Sequence, residues 1–340
     1  MPAFRMPAEW EQHEGTWLAW PHEKSDWPGK FQPVPWVYCE IVRRLSRVER
    51  VHILVNDAEA EQQVRKLLKR AHVEMAAVDF FECRTDRSWT RDFCPIFVRD
   101  ERGEVVILDW QFNGWAKYAN SDVDDAVPAA IAARLKMRAV QPKLGRRRIV
   151  LEGGSLDVNG SGLMMTTEEC LLSDVQQRNP GLTREDYESL FAHYLGIERT
   201  IWLLRGIAGD DTHGHVDDLA RFVDAGTVVL AVESERGDDN YEPLQENLRL
   251  LKREKNLRVI PLPMPEPVWF AGQRLPASYA NFYIANGLVL VPVFNDPNDR
   301  AALNTLAKAF PDREVCGIYA GDLVLGLGTL HCLTQQQIAG

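Results

Sequence analysis

Apolar, strand-like runs recur along the chain, each opening on a glycine: "GTWLAWP" at Gly15, "GEVVILDW" at Gly103, "GLMMTTEE" at Gly162, "GTVVLAVE" at Gly226 and "GLVLVPVF" at Gly287. The last four glycines stand about sixty residues apart, a period that marks repeated supersecondary units. Behind them the pattern changes to that of a helix. In "TREDYESLFAHYLG", apolar residues fall at 187, 190, 191, 194 and 195. Thr183 and Asp186 have the spacing of a capping box, and Gly196 is a stop signal. Leu244, Leu248 and Leu251 repeat this pattern after Gly226, as do Leu303, Leu306, Ala307 and Phe310 after Gly287. Each predicted helix leads into a further strand: "RTIWLL", "RVIPLP" and "EVCGIYA".

The unit therefore reads strand, helix, strand, and five such units predict an α/β fold in which residues 1–340 form one ring-like domain. The ring closes if the last strand, around Cys332, pairs with the first, around Gly15. The interval from Gly15 to Gly103 is longer than the others, and the tryptophan-rich loop "DWPGKFQPVPW" is the expected insertion.

Composition narrows the function. With 340 residues, 45% of them hydrophobic, the chain can bury a substantial core. A net charge of −10 speaks against nucleic acid or an anionic membrane as partner, and the basic runs "VRRLSRVER" and "GRRRIV" read as solvated faces. No stretch reaches the roughly 20 apolar residues of a membrane span, and "MPAFRMPAEWEQHEG" lacks a signal peptide's apolar core, so a cytoplasmic protein is expected. Its six cysteines are then free thiols. Cys39, Cys83, Cys170 and Cys316 read as small core residues.

Residues at equal distance before each glycine should share one level of the ring. Asp92, Glu152 and His215 stand ten or eleven residues before theirs, Asp217 follows His215 by two, and Cys332 lies on the terminal segment. Their convergence at one mouth of the ring would make an active site. Taken singly, each has a plainer reading. Asp92 can be a turn aspartate at the start of a strand, Glu152 a buried salt-bridge partner, and His215 and Asp217 alternate residues on one strand face. His213 can be an exposed loop residue. Zinc ligation by His213, His215 and Cys332 is disfavoured, because the tight spacings of zinc sites are missing. A thiol, an imidazole and a surplus of carboxylates fit a cationic substrate better than acyl transfer, where extra anions would oppose the oxyanion. In a guanidinium, paired acids can clamp the N–H donors while the thiolate attacks the central carbon.

The motifs "WTRD", "LEGGS", "TEECLL", "GHVDD", "ASYANFYIANG" and "HCLTQQQ", with "MPAEWEQHEGTWLAWP" at the start, resemble those of agmatine deiminases and the related bacterial peptidylarginine-deiminase-like proteins. The resemblance runs in order over nearly the whole chain. It implies a five-bladed α/β propeller, the pentein fold, and hydrolysis of agmatine to N-carbamoylputrescine and ammonia through a covalent amidino-thioether, without cofactor. It also implies roles: Cys332 as nucleophile, His215 as general acid and then base, Asp92 and Asp217 on the guanidinium, Glu152 supporting His215 and substrate, and Trp89 packing on the substrate. The chain departs from the pattern at Arg87, Cys94, His213, Leu327 and Thr329, none of which carries such a role. Arginine or peptidylarginine as substrate, a non-catalytic binder of small cations, and a metal hydrolase stay open as alternatives. A homodimer is expected only on the general frequency of twofold assemblies.

Overall fold

The structure, a computed structural model, describes residues 4–340. Its main feature is five sheets of one design. In each, a central apolar strand pairs with an antiparallel strand on one side. On the other side it pairs in parallel with a strand reached through a helix. The central strands are His13–Ala19, Val105–Leu108, Leu163–Thr167, Thr227–Val232 and Leu288–Val293, the five runs predicted from the pattern. Their helical crossovers are Val34–Leu45, Val127–Leu135, Arg184–Leu195, Tyr241–Leu251 and Asp299–Ala309.

The unit contains one strand more than predicted. The antiparallel strands Ile96–Asp100, Asp157–Val158, Ala220–Asp224 and Tyr283–Ala285 lie just upstream, so the recurring glycines mark hairpin turns. Gly103 and Gly287 adopt φ of 81° and 71°, a left-handed conformation that side chains with a Cβ resist. For the first sheet no upstream partner is at hand, and the chain's end supplies it. Gln335–Ile338 pairs antiparallel with His13–Ala19, placing Gly15 opposite Gln337 and Trp17 opposite Gln335. This is the terminal pairing that the repeat requires, although the strand begins three residues beyond Cys332. The apolar stretch before Cys332 forms a 3-10 turn, Val324–Gly326, rather than a strand.

The long first interval has a different cause from the one expected. A further helix, Ala58–Arg70, leads to a further strand, Val78–Glu82, which extends the first sheet beyond Arg50–Val55. Elsewhere the signals in the chain are obeyed closely. Thr183 and Asp186 cap Arg184–Leu195 reciprocally, and Gly196 ends it with φ of 71°. That helix buries Tyr187, Leu190, Phe191 and Leu195. Asp299–Ala309 buries Ala302 and Leu306, while Ala307, counted in the apolar stripe, is exposed. No helix among the described residues is long and apolar enough to cross a membrane.

Candidate active site

Short helical turns lead into several of the antiparallel strands, and these turns carry the candidate residues. Asp92 belongs to Thr90–Phe93, Glu152 caps Gly153–Ser155, and His215 caps Val216–Asp218, which contains Asp217. Asp92 therefore does not begin a strand, and His215 and Asp217 do not alternate along one. A strand would send neighbouring side chains to opposite faces, whereas a tight turn directs several of them to one side.

Gly154 marks where they meet. A Cβ on it would stand 2.5 Å from His215 Nδ1, 2.9 Å from Asp92 Oδ1 and 3.1 Å from Asp217 Oδ2. Cys332 Sγ lies 3.8 Å from Asp217 Oδ2 and receives a hydrogen bond from Asn281 Nδ2 at 3.1 Å. Beside this centre opens a cavity of about 550 Å³ whose lining includes Cys332, Asp92, Trp89, Trp115, Arg87 and Asp211. His215, Asp217 and Glu152 are buried behind that lining. Trp89 donates its Nε1–H to Asp26 Oδ2 at 3.1 Å and packs on Trp27. Gly328 is hemmed in by Trp89 and Cys332.

The unmade contacts are as informative as the made ones. His215 Nδ1 is 3.8 Å from Asp92, and Nε2 is 3.6 Å from Glu152 Oε2, both beyond hydrogen-bond length. Neither ring nitrogen has a hydrogen-bond partner among the described residues, nor do Glu152 Oε2 and Asp217 Oδ1. Buried polar groups are ordinarily paired, so four such atoms on residues packed behind the cavity's lining point to a polar ligand that completes them.

Charge is distributed unevenly. Burial drives the Cys332 thiol well above its ordinary range, and the carboxylates of Asp217, Asp218 and Asp92 add to the rise. Burial alone would lower His215, but Asp92, Cys170 and Glu152 overcome it and hold the imidazole well above its usual value. Asp92 is pushed up to about 6 by burial. Burial also opposes ionisation of Glu152, yet the Arg178 guanidinium beside it carries the carboxyl down to about 2. Arg178 Nε donates to Glu152 Oε1 at 3.0 Å, and both side chains are fully buried.

Glu152→Gln leaves Arg178 as a buried cation without its counter-charge. A loss of about 3–5 kcal/mol in urea denaturation is the expected outcome. A carboxylate depressed in the fold stabilises it fully above the ordinary glutamate value of 4.5 and loses that contribution as pH falls to about 2. The variant's stability should accordingly vary less with pH over that interval.

Several site residues escaped the sequence reading. Asn281 holds the Cys332 segment from three sides: its Nδ2 donates to Cys332 Sγ and to Asp218 at 3.0 Å, and its Oδ1 accepts from Thr329 Oγ1 at 2.7 Å and from the His331 N–H at 3.1 Å. It stands six residues before Gly287, within the "ASYANFYIANG" segment, so the repeat could have found it had each unit's upstream turn been searched. Arg178, in a loop without periodic pattern, offered no signal. Cys170 packs in the core as expected. Its sulfur, however, also lies with Glu152 and His215 in a group whose donor atoms are all within 4.8 Å of one another, and Asp217, Asp218 and Cys332 form a second such group. His213 belongs to neither. Its φ is 64° and its Nε2 faces Ser173 Oγ at 3.1 Å.

Known proteins of this shape share the sequence as well. The agmatine deiminase of Pseudomonas aeruginosa (strain LESB58) is 34% identical over an alignment that covers 99% of this chain and 96% of that protein. The C. jejuni agmatine deiminase with substrate bound matches with a TM-score of 0.89 and 31% identity, covering 99% of this chain and 97% of that one. An amidinotransferase of saxitoxin biosynthesis from Microseira wollei, 13% identical with a TM-score of 0.51 over 98% of this chain and 96% of its own, resembles it in fold alone. Residues 5–337 match one family throughout, and the chain belongs to that family, the Porphyromonas-type peptidyl-arginine deiminases.

Proposed function

We propose that this protein is a hydrolase that deiminates a guanidinium compound, with agmatine, converted to N-carbamoylputrescine and ammonia, as its leading substrate. The observation that carries the reading is the grouping of His215, Asp92 and Asp217 about Gly154 and of Cys332 beside Asp217, with Cys332 and Asp92 lining one cavity and unpaired buried polar atoms on the residues behind them. The agmatine deiminases of similar sequence and shape support the choice of substrate. Five sheets of one topology, joined at the ends by Gln335–Ile338 on His13–Ala19, support a five-bladed propeller of the pentein type acting as one catalytic domain over residues 1–340.

In the mechanism, Asp92 and the free oxygen of Asp217 clamp the guanidinium, and Trp89 packs on the substrate. The incoming cation offsets the carboxylates that disfavour the Cys332 thiolate, and the thiol proton departs to solvent. The thiolate adds to the central carbon. Imidazolium His215, supported by Glu152, gives its proton to the leaving nitrogen, and ammonia departs, leaving a cationic amidino-thioether. Neutral His215 then takes a proton from water as the oxygen adds to the same carbon. The C–S bond breaks, the thiolate returns, and loss of a proton yields the urea product. Because the thiol and His215 both titrate well above their ordinary values, kcat/KM should rise steadily between about pH 6 and 9. A rate that peaks at acid pH would contradict this assignment.

Arg87 favours a second reading. It lines the cavity, and its Nε has no hydrogen-bond partner among the described residues. Asp26 and Asp211 are already paired, with Arg87 and Lys117. A carboxylate-bearing guanidine such as arginine, or a peptide ending in it, would find a partner there that agmatine does not need. Ammonia release from agmatine, arginine and a peptide with a free C-terminal arginine, with and without EDTA, separates the readings. Turnover of agmatine alone supports the first, preference for the carboxylate-bearing compounds the second, and sensitivity to EDTA would overturn both.

A further inference from the structure

Behind the cavity, two carboxylates enclose one imidazole. His331 Nδ1 faces Asp217 Oδ2 at 2.6 Å, and His331 Nε2 faces Glu9 Oε2 at 2.7 Å, with the ring 2% exposed. Each ring nitrogen therefore lies within hydrogen-bond distance of a carboxylate oxygen, and the imidazole bridges the two acids. Glu9 is in turn fixed from behind. Arg221 donates to its Oε2 at 2.9 Å, Arg91 approaches the same oxygen at 3.5 Å, and the Ile284 N–H donates to Oε1 at 2.7 Å. Arg221 is itself braced by Asp157 and the Phe282 carbonyl. A continuous row of polar contacts thus runs from the arginines through Glu9 and His331 to Asp217. At its end one carboxylate oxygen is occupied, while the other, Oδ1, is buried without a partner among the described residues.

We propose that His331, anchored by Glu9, is a positioning residue that fixes the orientation of Asp217, engaging Oδ2 so that Oδ1 is left for the substrate guanidinium. This rests on the deiminase reading, in which Asp217 binds that group. A carboxylate free to rotate would divide its time among orientations, and the bidentate clamp would lose its geometry. His331 precedes Cys332 in the chain, so the same contact also ties the nucleophile's segment to the acid that it must work beside.

The test uses two substitutions that each restore half of the ring's contacts. In His331→Asn the side-chain amide occupies the place of Nδ1 and can still donate to Asp217; in His331→Gln it reaches the place of Nε2 and serves Glu9 instead. The probe is guanidinium chloride at concentrations far below denaturing. The readout is the guanidinium concentration that half-saturates the rise in ultraviolet thiolate absorbance of Cys332, alongside kcat and KM for the substrate that wild type turns over. Thermal midpoints report the structural cost of each change.

His331→Gln should raise the half-saturating concentration and KM about 10- to 100-fold, the scale of one lost charge-assisted hydrogen bond, while His331→Asn stays within about threefold of wild type. Glu9→Gln keeps an acceptor for His331 without its charge, and should raise both by severalfold. Equal shifts in the Asn and Gln variants, or none in either, would overturn the proposal. If wild type deiminates no guanidine but the guanidinium-binding pattern holds, the functional reading fails and the positioning role stands. Turnover without that pattern means the reverse.

Discussion

Cys332→Ala will abolish deimination, with kcat falling on the order of 10⁶-fold, as when other hydrolases lose their nucleophile. Guanidinium binding will persist. Cys332 is the cysteine among the cavity's lining residues, and its replacement by alanine removes the sulfur but leaves Asp92 and Asp217 in place. Calorimetry with agmatine should therefore show binding without turnover. The ionisation behind this result is itself measurable. The free thiol is held well above its ordinary range by burial and by Asp217, Asp218 and Asp92. A guanidinium neutralises that surplus, so adding an unreactive guanidinium ligand should raise ultraviolet thiolate absorbance in wild type and leave it unchanged in the alanine variant. Turnover above one part in a hundred in Cys332→Ala would mean that water attacks the substrate directly, and the covalent mechanism would be wrong.

Gly154→Ala should be nearly as damaging, although glycine carries no chemistry. The new methyl would stand 2.5 Å from His215 Nδ1 and 2.9 Å from Asp92 Oδ1, closer than non-bonded atoms tolerate. Either the imidazole and carboxylate move or the turn Gly153–Ser155 shifts, and each displaces groups that must align within tenths of an ångström. A displacement near 1 Å costs about 100-fold in rate, and two groups are displaced here, so a loss of at least 10³-fold is expected. Overpacking costs stability as well, about 1–3 kcal/mol, which a fold of this size can absorb. Kinetics together with a urea titration separate the two effects. A folded, fully active variant would show that the centre is looser than its geometry implies.

The repeat was legible because strands and helices are short-range objects with their own periods. Central strands such as Leu288–Val293 announced themselves by continuous apolar runs, and Arg184–Leu195 by its cap, stripe and terminal glycine. Equal phase before each glycine then singled out Asp92, Glu152 and His215 before any geometry was known. The conformation of those segments was not legible. Three-residue turns such as Val216–Asp218 lack the length for a period, so they read as strand beginnings. The extra helix and strand at residues 58–82 were passed over because they break the repeat rather than continue it.

What the sequence determined by itself is the repeating α/β unit, the family, and the residue types that a guanidinium-directed thiol chemistry needs. These follow from local patterning and from motifs that survive intact along the chain. Tertiary structure alone decided which charges face one another. Asn281 against Cys332, Arg178 against Glu152, and Glu9 through His331 to Asp217 join residues dozens to hundreds of positions apart. Electrostatic coupling depends on distance and burial in space. A linear pattern can nominate a carboxylate, but the fold determines whether it is ionised, paired or left open to a substrate.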